Sequence, residues 1–276
     1  SRTGTYMGRV RGWLSSNGWG ATETDPATPG SGCEGQAADQ QEFCTESSEI
    51  HVLPDLPGGT TVIVHGLQLN LGNCGARTWA VSMGRAIADR TGGSVWMYNP
   101  ESGVWEWDSG TGGPHDEMVL VFDWCDESDN PTPGNYSEAA GDALFAALMD
   151  SEIIDTSPAG GFGSLQLISE NRALHLVGHS RGAVVVSKTW RRIVEYMPAK
   201  VVNHITTLDP HPASFLGDDE PLLWEDPGTP WKEYEFADNY WQQGNASFNG
   251  QPVPGAINTE LSEFLDGSLS SMHSDV

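Results

Sequence analysis

The residues with the clearest chemical potential are a serine and two glycines that separate an apolar segment from an amphipathic one. Gly178, Ser180 and Gly182 follow the apolar run Leu174–Val177 and precede a helical pattern that Pro198 ends. This is G-x-S-x-G between strand and helix, the context in which a serine sits on a strained turn with its hydroxyl exposed. Glycine on both sides leaves room for the two chain segments to approach. The pattern predicts that Ser180 is a nucleophile for acyl transfer.

The elements that must position this serine alternate along the chain. From Glu49 onward, short apolar runs alternate with helical patterns, which is typical of a parallel sheet with crossover helices. Strands are predicted at 50–53, 61–64, 95–98, 118–122, 174–177, 204–208 and 233–237. Helices are predicted over 76–89, after Ser137 and after Ser180. Residues 1–48 are rich in Gly and Thr without helical periodicity, so we predict an irregular N-terminal extension packed on a catalytic domain of residues 49–276.

Ordered motifs from about Glu49 to the end make the chain resemble the α/β-hydrolase fold, and within it pancreatic-type and bacterial secreted lipases and esterases. The segment Thr61–Leu67 resembles the strand and His-Gly turn that supply the first oxyanion donor in lipases. The resemblance implies that the N–H of Leu67 acts with the N–H of Arg181, the residue after the serine. Val119–Trp124 resembles a lipase strand that ends in Asp-Trp, and its Asp123 is expected to be structural because the triad acid follows the serine.

The resemblance also implies the acid and the base of a catalytic triad. Asp209 lies in a Leu-Asp-Pro motif like that of pancreatic-type lipases, and we favour it as the acid. Asp238 is the alternative, because it ends the next predicted strand, where most other α/β-hydrolases place the acid. The chain order of serine, acid and histidine favours His273 as the base. His204 lies inside a predicted strand, and His211 is too close to Asp209 in sequence.

The implied function is a serine hydrolase that cleaves carboxylic esters through an acyl-enzyme, without a cofactor. The ester could be a small molecule, a lipid or a polyester. Candidate substrate-binding residues are His65, His179, His211, Tyr240 and Trp241, although we expect His65 mainly to orient its own loop. The alternatives that stay open are an amidase or thioesterase with the same triad, and a non-catalytic extracellular binding module on a degenerate hydrolase scaffold.

The charge of the chain excludes several classes of partner. Thirteen Lys+Arg against 38 Asp+Glu give a formal net charge of −25. Such a surface repels nucleic acid and anionic membranes, which bind to clustered basic residues. No apolar run is long enough to cross a membrane. We therefore expect a secreted monomer that works outside the cell, in an environment that could be saline.

Four cysteines and a run of acidic residues raise the questions of disulfides and metal. The cysteines have no metal-binding C-x-x-C spacing, and we favour the pairs Cys33–Cys44 and Cys74–Cys125 over four buried thiols.

The acidic run contains enough carboxylates for a structural Ca²⁺, but it does not match the EF-hand spacing. We favour solvated loop charges and predict no metal in the site; the run comprises Asp123, Asp126, Glu127 and Asp129.

Overall fold

A computed structural model describes two short strands near the N-terminus and most of the chain from residue 58 to residue 265. The described residues are 10–15, 18–23, 58–67, 78–128, 136–150, 153–154, 156–162, 167–168, 172–211, 234–243 and 249–265. The chain divides into two compact units, Ser1–Asp55 and Leu56–Val276. In the first unit, strands β1 (Val10–Ser15) and β2 (Gly18–Glu23) pair antiparallel. The strand predicted at 50–53 lies outside the described residues.

Nine strands of the described part of the second unit form one sheet. They are β3 (Thr60–Val64), β4 (Ser94–Asn99), β5 (Val104–Gly110), β6 (Met118–Phe122), β7 (Ile153–Ile154), β8 (Leu174–His179), β9 (Val202–Leu208), β10 (Tyr234–Trp241) and β11 (Ile257–Glu260). Their order across the sheet is β7-β5-β4-β6-β3-β8-β9-β10-β11. The seven strands from β4 to β11 in this order run parallel, and β5 pairs antiparallel with β4.

Helices cover both faces of this sheet, which explains why its central strands are apolar throughout. Every residue of β3 and of β6 is buried. Helix α1 (Thr78–Thr91) packs through Ala80 and Ala88 on one face. Helices α3 (Tyr136–Asp150) and α4 (Gly182–Tyr196) pack on the other face. A strand buried on both faces needs a continuous apolar run rather than an alternating one. The predicted mainly parallel sheet flanked by helices is confirmed.

A short helix, α2 (Cys125–Ser128), follows β6 at the edge where the parallel strands end. Its first residue, Cys125, is disulfide-bonded. Cys33, Cys44 and Cys74 lie outside the described residues, so the predicted pairing stays a prediction. Among the helices that the structure describes, we find none with the length and apolar character needed to span a membrane.

The strand order marks one place in the sheet where a crevice must form. From β3, the chain first builds the strands β4 to β7 on one side of β3, and then places β8 to β11 on its other side. The connections therefore diverge between β3 and β8. In open α/β sheets, ligands bind at the carboxyl ends of the strands at such a topological switch point. This architecture corresponds to the α/β-hydrolase fold, and it directs attention to the residues that directly follow β3 and β8.

Candidate active site

Ser180 occupies a strained turn between β8 and α4. Its φ is 55°, and among the described non-glycine residues only Asp209 shares a positive φ. A side chain in this left-handed region is strained, and such strain concentrates at functional sites. A Cβ on Gly178 would lie 2.7 Å from the Gly182 carbonyl oxygen, and one on Gly182 would lie 2.6 Å from that of His65. Both positions therefore require glycine, for the reason that the sequence indicates.

The backbone of Ser180 is bonded to the segment that follows the neighbouring strand. The Ser180 N–H donates to the Leu208 carbonyl oxygen at 2.8 Å. The Ser180 carbonyl oxygen accepts hydrogen bonds from the N–H of Ala183 at 3.1 Å and from that of His211 at 3.3 Å. These bonds hold the turn against both α4 and the end of β9, so the serine has a defined position at the carboxyl edge of the sheet.

The loop after β3 packs directly on this serine. A Cβ on Gly66 would lie 2.5 Å from the Ser180 Cβ and 3.0 Å from its Oγ. Only a glycine backbone can approach a side chain this closely. Leu67 follows Gly66, and Arg181 follows Ser180 immediately before α4. The two amides expected as oxyanion donors therefore belong to residues adjoining this contact.

His65 is fully buried and fixes the shape of its own loop. Its Nδ1 lies 2.8 Å from the Gly66 carbonyl oxygen, which can only accept, so Nδ1 carries the proton. Its Nε2 accepts from the Trp124 N–H at 3.3 Å, and Asp123 Oδ1 lies 3.3 Å from the same nitrogen. The side chain is thus engaged within the protein, with contacts to its own loop and to Asp123 and Trp124.

Trp124 connects this loop to the turn that carries the serine. The Trp124 indole N–H donates to the His65 carbonyl oxygen at 2.8 Å, and its ring stacks on the His65 imidazole. The guanidinium of Arg181 lies 5.6 Å from the centroid of the Trp124 ring, within the range of a cation–π interaction. Arg181 also donates to the Ser128 carbonyl oxygen at 3.1 Å and is buried. Its side chain therefore stabilises the turn, while its amide adjoins Ser180.

Asp209 lies immediately beyond β9, at the same edge of the sheet as Ser180. It is fully buried, with a φ of 44°, and its N–H donates to the Tyr240 carbonyl oxygen at 2.6 Å. Its carboxylate accepts two hydrogen bonds from Gln242, one from the backbone N–H at 3.0 Å and one from the side-chain amide at 2.8 Å. Sequence reasoning does not identify Gln242, because no motif marks it.

Asp238 occupies a different environment, on one face of the sheet. Asp238 pairs in register with Thr206 of β9. It lies three residues before the end of β10, and at about 3.3 Å per residue this places it about 10 Å from the carboxyl edge of the sheet. Its carboxylate lies 3.1 Å from His204 Nε2 and accepts from the Tyr240 hydroxyl at 3.3 Å. Burial raises the pKa of Asp238, but the hydrogen bonds from His204, Thr206 and Tyr240 outweigh this effect. The pKa of Asp238 is therefore lower than its ordinary value.

His204 extends this network to the adjacent strand. Its ring stacks on His175 with the centroids 4.0 Å apart and the planes 3° from parallel. His175 Nε2 lies 2.8 Å from the Thr206 hydroxyl. Burial, together with the neighbouring His204, lowers the pKa of His175 to about 4. His175 is therefore neutral at pH 7, and the network stabilises the ionised form of Asp238 on the sheet face.

The remaining predicted site residues lie near the edge or outside the described residues. The ring of His179 meets that of Trp79 edge-on at 5.3 Å. His211 Nδ1 donates to the Asn249 carbonyl oxygen at 2.9 Å. Tyr240 is half-buried and Trp241 is buried. His273 lies outside the described residues, so its place as the base stays a prediction.

The structure also bears on the predicted absence of a metal. Among the residues that the structure describes, no group of three His, Cys, Asp or Glu side chains is arranged to hold an ion. Asp123 Oδ1 accepts the N–H of Cys125 at 3.1 Å, and this bond caps α2. The side chains of Asp126 and Asp129 lie outside the described residues. Asp123 is therefore a bonded, partly buried side chain and not a solvated loop charge, whereas Glu127 is exposed as expected. For Asp126 and Asp129, solvated charge stays a prediction.

Comparisons with known proteins identify no family for the chain. No protein-family model and no curated protein matches it. Among solved structures, it is similar to a proposed cell surface hydrolase from Lactobacillus plantarum WCFS1, with 15% identity over 73% of this chain and 72% of the other, and a TM-score of 0.41. It is also similar to the Tle1 effector bound to the VgrG spike of a type 6 secretion system.

For the Tle1 effector, the identity is 11% and the TM-score is 0.32, and the match covers 92% of this chain but 55% of that one. The chain thus spans about half the length of that effector. Likenesses at this level carry no argument about function. The function must be argued from the site itself.

The network around Asp238 predicts a pH-dependent contribution to stability. Because the folded state lowers the pKa of Asp238, its stabilising effect is complete above the unfolded value of about 3.9 and disappears as pH falls through the folded value. We expect Asp238→Asn to lower the free energy of unfolding by about 1–2 kcal/mol at pH 7 and by progressively less as the pH falls below about 4. Urea unfolding of both proteins across this pH range measures the difference.

Glu235→Gln is the matched control, because it removes the same charge from an exposed residue of the same strand. We expect it to change the free energy of unfolding by less than about 0.5 kcal/mol at every pH. A similar pH dependence for the two variants would contradict a specific role for the His204–Asp238 pair.

Proposed function

We propose that this protein is a serine hydrolase that cleaves carboxylic esters through an acyl-enzyme on Ser180. The observation that carries the proposal is the positive φ of Ser180 on a strand-to-helix turn at the switch point of the sheet. A non-glycine residue is strained there, and the turn needs glycine at two flanking positions and in the facing loop. A nucleophilic serine occupies a strand-to-helix turn of this kind, at the carboxyl edge of the sheet.

In the proposed mechanism, His273 removes the proton of the Ser180 hydroxyl while Oγ attacks the ester carbonyl carbon. The backbone N–H groups of Leu67 and Arg181 bind the oxyanion that forms, an interaction worth about 2.7–4 kcal/mol for each donor. The tetrahedral intermediate collapses, and the imidazolium protonates the departing alcohol. Water then attacks the acyl-enzyme by the same steps and releases the carboxylic acid and Ser180.

We assign the role of triad acid to Asp209 rather than to Asp238. Asp209 directly follows its strand at the edge where Ser180 lies, and it is buried and hydrogen-bonded. Asp238 lies about 10 Å back from this edge, with His204 and Tyr240 as partners. We propose that Asp209 holds the His273 imidazole in the tautomer that accepts the serine proton, and that it stabilises the imidazolium.

The substrate class, the absence of a cofactor and the location belong to the same proposal. The mechanism uses side chains and amides of the chain alone, so it requires no cofactor. The substrate would be a small-molecule, lipid or polyester ester. The formal charge of −25 supports action outside the cell, where neither nucleic acid nor an anionic membrane surface is the partner.

The first prediction of the proposal concerns the nucleophile. We expect the protein to hydrolyse p-nitrophenyl esters and to be labelled by a fluorophosphonate, because both reactions require an activated serine. Ser180→Ala should lose the label and lower kcat by about 10³-fold or more. Parallel assays with anilides and thioesters of the same acyl group distinguish an esterase from an amidase or a thioesterase. A Ser180→Ala protein that retains turnover would exclude the proposal, and an unlabelled wild-type protein would favour a binding module.

The second prediction separates the two candidate acids. We expect Asp209→Asn to lower kcat by about 10³–10⁴-fold, because a neutral amide no longer holds the productive tautomer of the base. Asp238→Asn should change kcat by less than about threefold at pH 8, provided that the protein is folded, which circular dichroism checks. The reverse order of the two effects would transfer the role to Asp238.

The third prediction concerns the contact between the β3 loop and the serine. In Gly66→Ala, the added methyl group would meet the Ser180 Cβ at 2.5 Å and force the loop away from the nucleophile. We expect kcat to fall about 100-fold, because displacement of the loop removes an oxyanion donor. Gly113→Ala is the control, since its methyl group would meet nothing nearer than Asp116 Oδ2 at 3.7 Å. Equal activity of the two variants would show that the loop is not part of the site.

A further inference from the structure

One residue supplies two donors to the carboxylate of Asp209. The Gln242 backbone N–H bonds to Oδ1 at 3.0 Å, and the Gln242 side-chain amide bonds to Oδ2 at 2.8 Å. Both side chains are fully buried, with no solvent-exposed area. Hydrogen bonds to a charged acceptor are stronger than those between neutral groups, particularly away from water. Gln242 therefore donates to both oxygens of the Asp209 carboxylate.

The fold determines that these two residues meet. Asp209 follows β9 and Gln242 follows β10, and these strands are parallel neighbours whose carboxyl ends share one edge of the sheet. The Asp209 N–H also donates to the carbonyl oxygen of Tyr240, two residues before Gln242. The backbone thus holds the two residues in a fixed register. Rotation of the carboxylate would break one or both bonds to Gln242.

The backbone of Gly250 packs directly against the Asp209 carboxylate. A Cβ at this position would overlap Asp209 Oδ1, so a side chain of any other residue would displace the carboxylate. Asp209 is thus confined by Gln242 and by the Gly250 backbone. Each carboxylate oxygen can accept about two hydrogen bonds, so a carboxylate held in this way can in principle bind more than one donor. The confinement fixes the orientation of the carboxylate plane.

We propose that Gln242 is a positioning residue for the catalytic acid, which fixes the orientation of the Asp209 carboxylate and stabilises its charge. The inference depends on the proposed function, in which Asp209 is the triad acid. Glutamine suits this task because its amide donates a proton without carrying a charge of its own. A lysine or arginine there would neutralise the carboxylate that must stabilise the imidazolium, and a glutamate would repel it.

Two substitutions of Gln242 test the inference. Gln242→Met removes the side-chain donor at similar length, and we expect kcat to fall about 10–100-fold with KM changed less than about threefold. Gln242→Glu introduces a second carboxylate against Asp209. We expect the acidic limb of the pH profile of kcat/KM to move up by about one pH unit or more, because two adjacent carboxylates retain a proton or raise the pKa of the base.

Gln243→Glu is the matched control. It makes the same chemical change one residue away, on an exposed side chain. We expect it to keep the wild-type pH profile, because an exposed charge is screened by solvent. All rates are expressed per active site, which is counted by the burst of p-nitrophenol release, so that a partly unfolded preparation does not imitate a catalytic effect.

A double variant separates positioning from a general structural effect. If Gln242 acts through Asp209, then Asp209→Asn with Gln242→Met should have the same kcat as Asp209→Asn alone. A further fall in kcat, or an unchanged pH profile in Gln242→Glu together with an unchanged kcat in Gln242→Met, would overturn the inference. Failure of the proposed function is distinguishable, because the wild-type protein would then show neither turnover nor labelling.

Discussion

The candidate site depends on one backbone constraint, the left-handed conformation of Ser180. Because the chain turns so sharply there, the segments before and after the serine approach closely, and Gly178 and Gly182 are needed to avoid overlap. The same turn brings the serine against Gly66 of the facing loop. The strain of a non-glycine residue at positive φ is about 1–3 kcal/mol, so the surrounding contacts must maintain it. The backbone bonds from Ser180 to β9 and α4 serve this purpose.

A second set of contacts maintains the relation between the loop and the turn. Trp124 binds the His65 backbone, stacks on the His65 ring and lies beneath the Arg181 guanidinium. One aromatic side chain thus joins the ends of β3 and β6 to the turn after β8. All three side chains are buried, so their polar groups must find partners within the protein. His65, Trp124 and Arg181 therefore support the geometry around Ser180, and the proposed chemistry is left to the serine, the acid, the base and backbone amides.

The sequence predicts those features that are determined by residues close together along the chain. The turn at Ser180 is encoded in five consecutive residues. The central strands are recognised as continuous apolar runs, because helices cover both faces of the sheet. Strand β5 is missed, although Trp105 and Trp107 alternate with acidic residues in it. Strand β11 has no apolar pattern, because it lies at the edge of the sheet and Ile257 is exposed. Gln242 cannot be found in this way, because its contact with Asp209 depends on which strands are neighbours and not on sequence spacing.

The two edges of the sheet contain buried charged side chains with different kinds of partner. At the amino ends of β3 and β6, the buried Arg172 donates to four oxygens, those of Gly59, Thr60, Pro114 and Asp116. Burial lowers the pKa of Arg172, yet these bonds satisfy its guanidinium. At the carboxyl ends, the buried anion Asp209 is held by the uncharged Gln242. A buried arginine therefore joins the chain segments at the amino edge, and at the carboxyl edge the Asp209 carboxylate is bound by an uncharged amide. The proposed mechanism needs a negative charge at that second edge to stabilise an imidazolium.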